Sequence, residues 1–387
     1  MEPFIVRVTA TGRRFVSMKR YDVIVVGAGP GGSSTAEYAA RAGLSVLFID
    51  SRKEIGWPVQ CGEFMPKTDE VTRLFPEVES PGELFDVPAN LVSKPTKIIR
   101  MVSPSMREYD INFSGYSTER REFDKYLAGK AVRAGAELMT DTKFTGREGR
   151  NTVVTTKGKF EAEIIVGADG PFSSVRKSVG GHTPSLLYPA MSTTMDGEFG
   201  DVIYMYFGNV APAGYGWIIP KSGGANVGLG ADPNLADKKV GFYARDFIAQ
   251  VGRKFNTKPR QIVAGGWVPM SGPIDRTVYD NVLLVGDAAG HVMATNGGGI
   301  CIAMICGRIA GRAIGEHLNS HRPLDDYEEQ WRKAVGKDLE TARKMMSYAY
   351  FTFSNDWLLS ILFRIAGAGG LSKVIKCKSV FSLKNWN

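Results

Sequence analysis

Tyr21-Asp22-Val23-Ile24-Val25-Val26-Gly27-Ala28-Gly29-Pro30-Gly31-Gly32 decides the reading of this chain. An apolar run ends in a glycine-rich turn. The small-residue stretch Ser33 to Ala42 follows, and a second apolar run, Ser45 to Ile49, ends at Asp50. The order is strand, glycine turn, helix, strand, acid, the context that gives G-x-G-x-x-G its meaning. The glycines permit a tight turn and let backbone approach a pyrophosphate. The helix start then aims free N–H groups and the positive end of its dipole at the phosphates. Asp50 lies 23 residues after Gly27, where a carboxylate accepts ribose hydroxyls. The bland alternative is a glycine-rich loop without a ligand. The strand, helix and acid around the motif argue against it.

A chain of 387 residues is long enough for two or three lobes and a sizeable core. Its four cysteines, Cys61, Cys301, Cys306 and Cys377, lack paired metal-ligand spacing, so they read as free thiols in a reducing compartment and no metal is expected. Cys301 and Cys306 fall in a small-residue helix, where packing explains them. The net charge of +8 suits a solubilising surface. It also suits attraction to an anionic membrane or an acidic electron-transfer partner. No basic run is interleaved with a nucleic-acid motif, so nucleic acid is not expected. No window of 18 apolar residues predicts a transmembrane helix. Residues 1–17 lack the apolar core and cleavage site of a secretory signal. Met18 directly precedes Lys19-Arg20-Tyr21-Asp22, so 1–17 read as a disordered or over-called N-terminal extension.

Further along, strand-like runs fall at Lys97–Val102 and Glu108–Phe113. A helix opens at Arg120, with Phe123, Leu127 and Ala131 on one face, and stops at Gly135. Glu163–Gly167 is a buried strand running into the acidic turn at Asp169. Short β-type runs follow at Thr193–Glu198, Val202–Phe207, Tyr215–Pro220 and Ala225–Leu229. Asn281–Val285 is another buried strand, with a small-residue helix from about Gly298, and 324–387 reads as helix with a basic end. Strands near 21, 45, 163 and 281 predict one parallel sheet; 90–114 and 186–270 predict a second, antiparallel sheet inserted into it. The expected fold class is mixed α/β (α+β): a discontinuous Rossmann-like domain (18–90, 115–185, 271–320), a substrate-binding β-sheet domain (91–114, 186–270) and a helical C-terminal region (321–387).

Three more motifs stand in order with the glycine turn: Arg120-x-x-Phe123-Asp124, then Ala168-Asp169-Gly170-Pro171-Phe172-Ser173-Ser174-Val175-Arg176, then Gly286-Asp287-Ala288-Ala289. Over most of 20–315 this set resembles the FAD-binding fold of the p-hydroxybenzoate-hydroxylase type. The resemblance implies FAD as cofactor. It implies that Gly286-Asp287 lies by the pyrophosphate and ribitol, with Asp287 accepting a ribitol hydroxyl, and that Asp169-Gly170 closes the nucleotide end. To Gly27, Gly29, Pro30, Gly31, Gly32 and Asp50 it adds Ser51, Arg52, Cys61, Gly62, Arg120, Gly297, Gly298, Gly299 and Ile300 as cofactor contacts. Taken singly, an acid at a strand end is usually a helix cap or turn former.

Two segments narrow the family. Tyr215-Gly216-Trp217-Ile218-Ile219-Pro220-Lys221 resembles the Tyr-x-Trp-x-x-Pro-Lys segment of geranylgeranyl reductases, and Cys61-Gly62-Glu63 resembles their Cys-Gly-Glu segment. The chain is therefore similar to archaeal-type geranylgeranyl reductases, which saturate isoprenoid chains of membrane lipid precursors. One departure stands out. His291-Val292-Met293-Ala294-Thr295-Asn296-Gly297-Gly298-Gly299 lacks the Asn-Pro pair that family members often carry, which leaves the loop shape and the substrate open.

The resemblance implies hydride delivery from reduced FAD to one alkene carbon, with a proton reaching the other from a protein acid or water. Cys61, Tyr215 and His291 are the candidate donors. For Cys61 the alternative is a small buried hydrophobe; for His291 it is a structural hydrogen bond to backbone. Tyr215 and Trp217, at strand spacing i, i+2, share one side of a sheet. They either wall a substrate tunnel or pack a core. The implied partners are a prenyl-lipid substrate and an electron donor such as ferredoxin or NAD(P)H, since no second dinucleotide motif is present. The apolar stretch Trp357–Ala366, too short to span a bilayer, is followed by Lys373, Lys376, Lys378 and Lys384. That pattern suits a cytoplasmic protein peripheral at the inner membrane face, or a core helix. The other functions consistent with the motifs are a class A flavin monooxygenase, a flavin-dependent halogenase and a non-catalytic prenyl-lipid-binding flavoprotein.

Overall fold

Val23–Val26 and Val46–Ile49 are apolar at every position, as strands covered on both faces must be. In the computed structural model, which describes residues 7–8, 14–15, 18–260 and 264–379, both are buried strands at the centre of a sheet. The sheet order is Val278–Tyr279, Val282–Leu284, Gly158–Gly167, Lys19–Val26, Val46–Ile49, Glu137–Met139. All neighbours after the first pair run parallel. The four expected strands are therefore joined in one parallel sheet. Its edge strand Glu137–Met139 and the hairpin Phe144–Glu148/Thr152–Thr155, which pairs onto Gly158–Gly167, were not expected. Both are short and half polar, so neither shows a clear apolar period.

The second sheet has eight strands in the order 264–269, 187–196, 224–230, 215–221, 202–206, 92–102, 108–118, 64–66. It corrects three expectations. Val202–Tyr206 runs parallel to Val92–Val102, so the sheet is not wholly antiparallel. Glu108–Thr118 continues past residue 114. Phe64–Pro66, inside a stretch read as irregular, closes the edge against Gly115–Ser117. The helix Val240–Phe255 covers one face with Ala244, Phe247, Ile248 and Val251, an i, i+3, i+4, i+7 stripe, and ends on Asn256 in the left-handed region.

Helices Asp326–Trp331, Lys337–Ala349 and Asp356–Ile375 make the C-terminal region. Two buried aromatics pin it to the first sheet: Tyr327 donates to the Leu284 carbonyl at 2.7 Å and Trp331 to Thr277 Oγ1 at 2.9 Å. Asp356–Ile375 is 20 residues long with mean hydropathy 1.6, long and apolar enough to cross a membrane, which corrects the expectation that no such segment exists. Gly367 breaks it, with φ 56° and ψ −175°, so the straight rods on either side are each far shorter than a bilayer core. Of residues 1–17, only the strand pair Arg7–Val8 and Arg14–Phe15 is described. The expectation of a disordered or over-called extension otherwise lies outside the described residues.

The glycine helix Pro30–Arg41 crosses the small-residue helix Ile300–Ser320 closely enough to exclude side chains. A β-carbon on Gly307 would lie 2.4 Å from the Gly31 carbonyl oxygen, and one on Gly311 2.7 Å from that of Thr35. The i, i+4 stripe Gly307, Gly311, Gly315 is therefore a packing device. Gly311→Val should lower stability by about 1–3 kcal/mol, read by urea unfolding, because overpacking must push the two helices apart. Gly43→Ala, where no atom lies within 4 Å, should act only through its positive φ and cost less.

Candidate functional site

Gly27 closes the first strand with φ 106°, and a β-carbon there would strike the Ala168 carbonyl at 2.2 Å. Gly32 is equally constrained, 1.8 Å from the Gly27 carbonyl. These close approaches bring the first turn of Pro30–Arg41 against the ends of the central strands. Gly29, the residue before the helix, has open space in front of it and no side-chain cap. The uncapped helix start faces a cavity of about 680 Å³. Along its walls lie Gly27, Gly29, Pro30, Gly31, Asp50, Ser51 and Arg52, then Asp169, Gly170, Gly286 and Asp287, then Arg120, Cys61, Gly62, Gly297, Gly299 and Ile300. Tyr215 and Trp217 line the same cavity. Gly32 and Gly298 are outside the lining, and a β-carbon on Gly298 would lie 2.5 Å from Met293 Cε.

His291 is also outside the lining. Its ring is fully buried and packs 4.6 Å from Trp331, with neither ring nitrogen hydrogen-bonded among the described residues. Burial, reinforced by the Arg332 charge, pushes its pKa down to about 3. It is a neutral core histidine outside the cavity lining, a place that suits packing better than proton donation. Among the described residues, the backbone hydrogen bond expected as its alternative is not made by the ring either.

The acids divide by their partners. Asp50 accepts Arg52 through both oxygens at 2.9 and 2.7 Å, and the Ala28 N–H at 2.9 Å. Burial alone would raise its pKa; the Arg52 fork outweighs burial and holds it below the usual range. A ribose diol would have to share this carboxylate with Arg52. Asp169 is consumed locally, taking the Ser174 N–H at 2.7 Å, the Val175 N–H at 3.2 Å and the Ser173 hydroxyl, so it caps the short helix behind it. Arg176 joins two motifs, donating to the Pro171 and Ala288 carbonyls, both at 2.7 Å. Asp287 is different: among the described residues no hydrogen bond reaches its carboxylate. Burial pushes it from 3.8 to about 6, with the Arg120 guanidinium opposing the shift. An acid left without a partner at the cavity wall fits a hydroxyl-bearing ligand.

The polar end meets an aromatic end. Trp217 and Tyr215 lie with ring centroids 5.9 Å apart, and Phe207 stands 5.8 Å from Tyr215. Met346 and Phe353, from the C-terminal region, complete that wall. The Tyr215 hydroxyl donates to the Asn296 carbonyl. Asn296 in turn accepts the Gly298 N–H at 2.8 Å and donates to the Ile375 carbonyl at 2.9 Å. This side chain gives the glycine loop a fixed shape without the missing proline.

Between the two ends sits a network that motif reading missed. Glu63, 3% exposed, accepts Lys221 Nζ at 2.9 Å and Asn226 Nδ2 at 2.8 Å. Lys221 also reaches Glu119 at 3.0 Å, Asn226 donates to the Cys61 carbonyl at 2.9 Å, and Trp217 Nε1 donates to Asn226 Oδ1 at 2.7 Å. The Cys-Gly-Glu and Tyr-x-Trp-x-x-Pro-Lys segments are thus one structure. Two charges of opposite sign sat at the ends of the two quoted segments, but only the fold pairs them, and Asn226 carried no signal. Burial raises the Cys61 thiol above its ordinary value, while the Arg120 guanidinium opposes that shift.

Two outcomes follow from these charges. Lys221→Met leaves the Glu63 carboxylate buried with its cation removed and should cost about 3–5 kcal/mol in urea unfolding. Asp287 has a folded pKa above its unfolded one, so its contribution is present at acid pH and lost as pH rises through about 6. In flavin-free protein, Asp287→Asn should abolish about 1–3 kcal/mol of the stability decline between pH 5 and pH 8. An identical decline in wild type and variant would contradict the burial of that carboxylate.

Comparison with known proteins agrees with this arrangement. The geranylgeranyl reductase catalytic domain family matches residues 188–267, and an NAD(P)-binding Rossmann-like domain family matches 25–103. The digeranylgeranylglycerophospholipid reductase of Methanocaldococcus jannaschii is 36% identical over 81% of this chain and 82% of its own. Digeranylgeranylglycerophospholipid reductase 2 of Methanothermobacter thermautotrophicus is 35% identical over 95% and 97%. A geranylgeranyl bacteriochlorophyll reductase-like structure from Thermoplasma acidophilum superposes with a TM-score of 0.81 at 27% identity, covering 95% of this chain and 97% of that one. With identity at this level sustained along nearly its whole length, the chain belongs to the geranylgeranyl reductase family.

Proposed function

We propose that this chain is an FAD-dependent reductase that saturates carbon–carbon double bonds of geranylgeranyl chains in isoprenoid lipids. One observation carries the reading. A single cavity joins a dinucleotide cradle at one end to the aromatic wall of Tyr215, Trp217, Phe207 and Phe353 at the other. The residues present fit FAD: the uncapped helix start for the pyrophosphate, Asp50 for ribose, and Asp287 with its free carboxylate for the ribityl hydroxyls. When bound and reduced, FAD supplies the hydride. The chain's own part is to hold the alkene in a dry apolar slot and to protonate the second carbon. Cys61 is the proposed proton donor, lying in the cavity with Arg120 beside it to stabilise the thiolate. Tyr215 is secondary, because its hydroxyl is committed to Asn296 and burial raises its pKa further from neutrality. The described residues hold one dinucleotide cradle, so the electron donor, ferredoxin or NAD(P)H, acts without a second one.

The proposed site of action is the cytoplasmic face of the membrane. Trp357, Leu362 and Ile365 on the last helix, with Tyr348 and Phe351 before it, are exposed. Buried Phe363 of the same helix packs against Phe207, ring centroids 5.2 Å apart and planes tilted by 59°, and Phe207 lines the cavity. The basic tail contributes less than its composition suggests. Lys376 pairs with Glu70 at 3.0 Å and Lys378 with Asp338 at 2.8 Å, Lys373 has no ion pair among the described residues, and Lys384 lies outside them. With two of the four lysines paired, the exposed apolar side chains carry the larger share of the proposed attraction.

Heat-released cofactor should be FAD, and Asp50→Ala should retain less of it, by roughly tenfold or more in affinity for a lost charge-assisted hydrogen bond. Dithionite-reduced protein incubated without oxygen with geranylgeranyl lipids should yield products heavier by one dihydrogen per saturated bond in mass spectrometry. Unchanged lipid would refute the reductase reading. Liposome co-sedimentation should persist with neutral lipid and added salt and fall in Trp357→Ser/Ile365→Ser. Pelleting that requires anionic lipid and vanishes with salt would return the attraction to the lysines.

A further inference from the structure

Glu63 occupies the left-handed region with φ 66°, a conformation that favours glycine or asparagine over glutamate. Something must hold it there. Its carboxylate takes Lys221 Nζ and Asn226 Nδ2 on one oxygen and the Arg120 backbone N–H at 3.0 Å on the other. Its carbonyl accepts the Thr118 N–H at 2.9 Å. In this pose the Glu63 N–H donates to Cys61 Sγ at 3.1 Å. The preceding Gly62 lets the turn press on the aromatic strand, since a β-carbon there would lie 2.9 Å from Ile219 Cδ1. The titratable groups facing the sulfur are the Arg120 guanidinium, the Glu63 carboxylate and the Tyr215 hydroxyl.

We propose that Glu63 is a positioning residue for Cys61. Its clamped carboxylate maintains the left-handed turn that presents a backbone N–H to the Cys61 sulfur. The use of that N–H in turnover rests on the reading of Cys61 as proton donor. There the S–H bond breaks, its proton forms the C–H bond at the carbon opposite the one that received hydride, and the electron pair stays on sulfur. Water then returns the proton. The N–H donor and Arg120 stabilise the thiolate in between.

The test reads the thiol directly and does not depend on prenyl turnover. Cys301, Cys306 and Cys377 are 4%, 0% and 0% exposed, so iodoacetamide should label Cys61 in the purified protein, followed as the mass of its peptide across a pH series. Glu63→Gly, Glu63→Asn and Glu63→Ala all remove the carboxylate charge. Only glycine and asparagine readily keep the left-handed turn without a clamp. Glu63→Gly and Glu63→Asn should therefore label with a midpoint at or below that of wild type. Glu63→Ala should shift it up by about one pH unit, which is roughly tenfold slower labelling at neutral pH. A common midpoint for the three variants would overturn the proposal. If Glu63→Ala fails to fold by circular dichroism, Glu63→Gly decides against wild type: an upward shift of about one unit overturns the proposal, and its absence supports it.

Discussion

No β-carbon fits where the glycine helix meets the central strands and the small-residue helix, and the molecule is organised around that exclusion. Gly27 against Ala168, Gly32 against Gly27, and Gly307 against Gly31 are backbone-to-backbone approaches. They set the first turn of Pro30–Arg41 at the ends of the parallel strands, with its N–H groups toward the cavity. Glycine costs conformational entropy in a helix. The chain accepts that cost at five helical positions, Gly31, Gly32, Gly307, Gly311 and Gly315, because the close approach is what shapes the cradle.

A second constraint joins the cradle to the aromatic sheet. Glu63, Lys221, Asn226 and Trp217 form a hydrogen-bonded seam with each polar partner satisfied, in a place where an unpaired charge would be expensive. The seam fixes Cys61 between the polar and apolar ends. Arg176 does similar work on the other side by tying the Asp169-Gly170 turn to the Gly286-Asp287 turn. Among the described acids that line the cavity, Asp287 alone has a carboxylate without a hydrogen-bond partner, whereas that of Asp169 caps a helix.

Much of this was legible in the sequence wherever the signal is local. Strands apolar on both faces, the glycine turn, and the order of four motifs are short-range patterns, and they led to the parallel sheet and to most of the cavity wall. What escaped depends on partners far apart in the chain. Asp50 reads as a free ribose acceptor until Arg52 folds back on it. His291 reads as a site histidine by adjacency to Gly286-Asp287, yet the backbone turns it onto Trp331. Asn226 looks ordinary, and becomes the centre of a network only when its strand lies beside Trp217 and the Cys61 turn. The C-terminal lysines suggest an anionic surface until Glu70 and Asp338 neutralise two of them.

The central claim is that one cavity brings a reduced flavin and a prenyl alkene together. Stopped-flow absorbance without oxygen tests it most directly. Reduced holoprotein mixed with a geranylgeranyl lipid should regain the oxidised flavin band in a single turnover, with one flavin oxidised for each double bond lost. A flavin that stays bleached with every prenyl lipid and recovers only when oxygen is admitted would contradict the account and favour a hydroxylase.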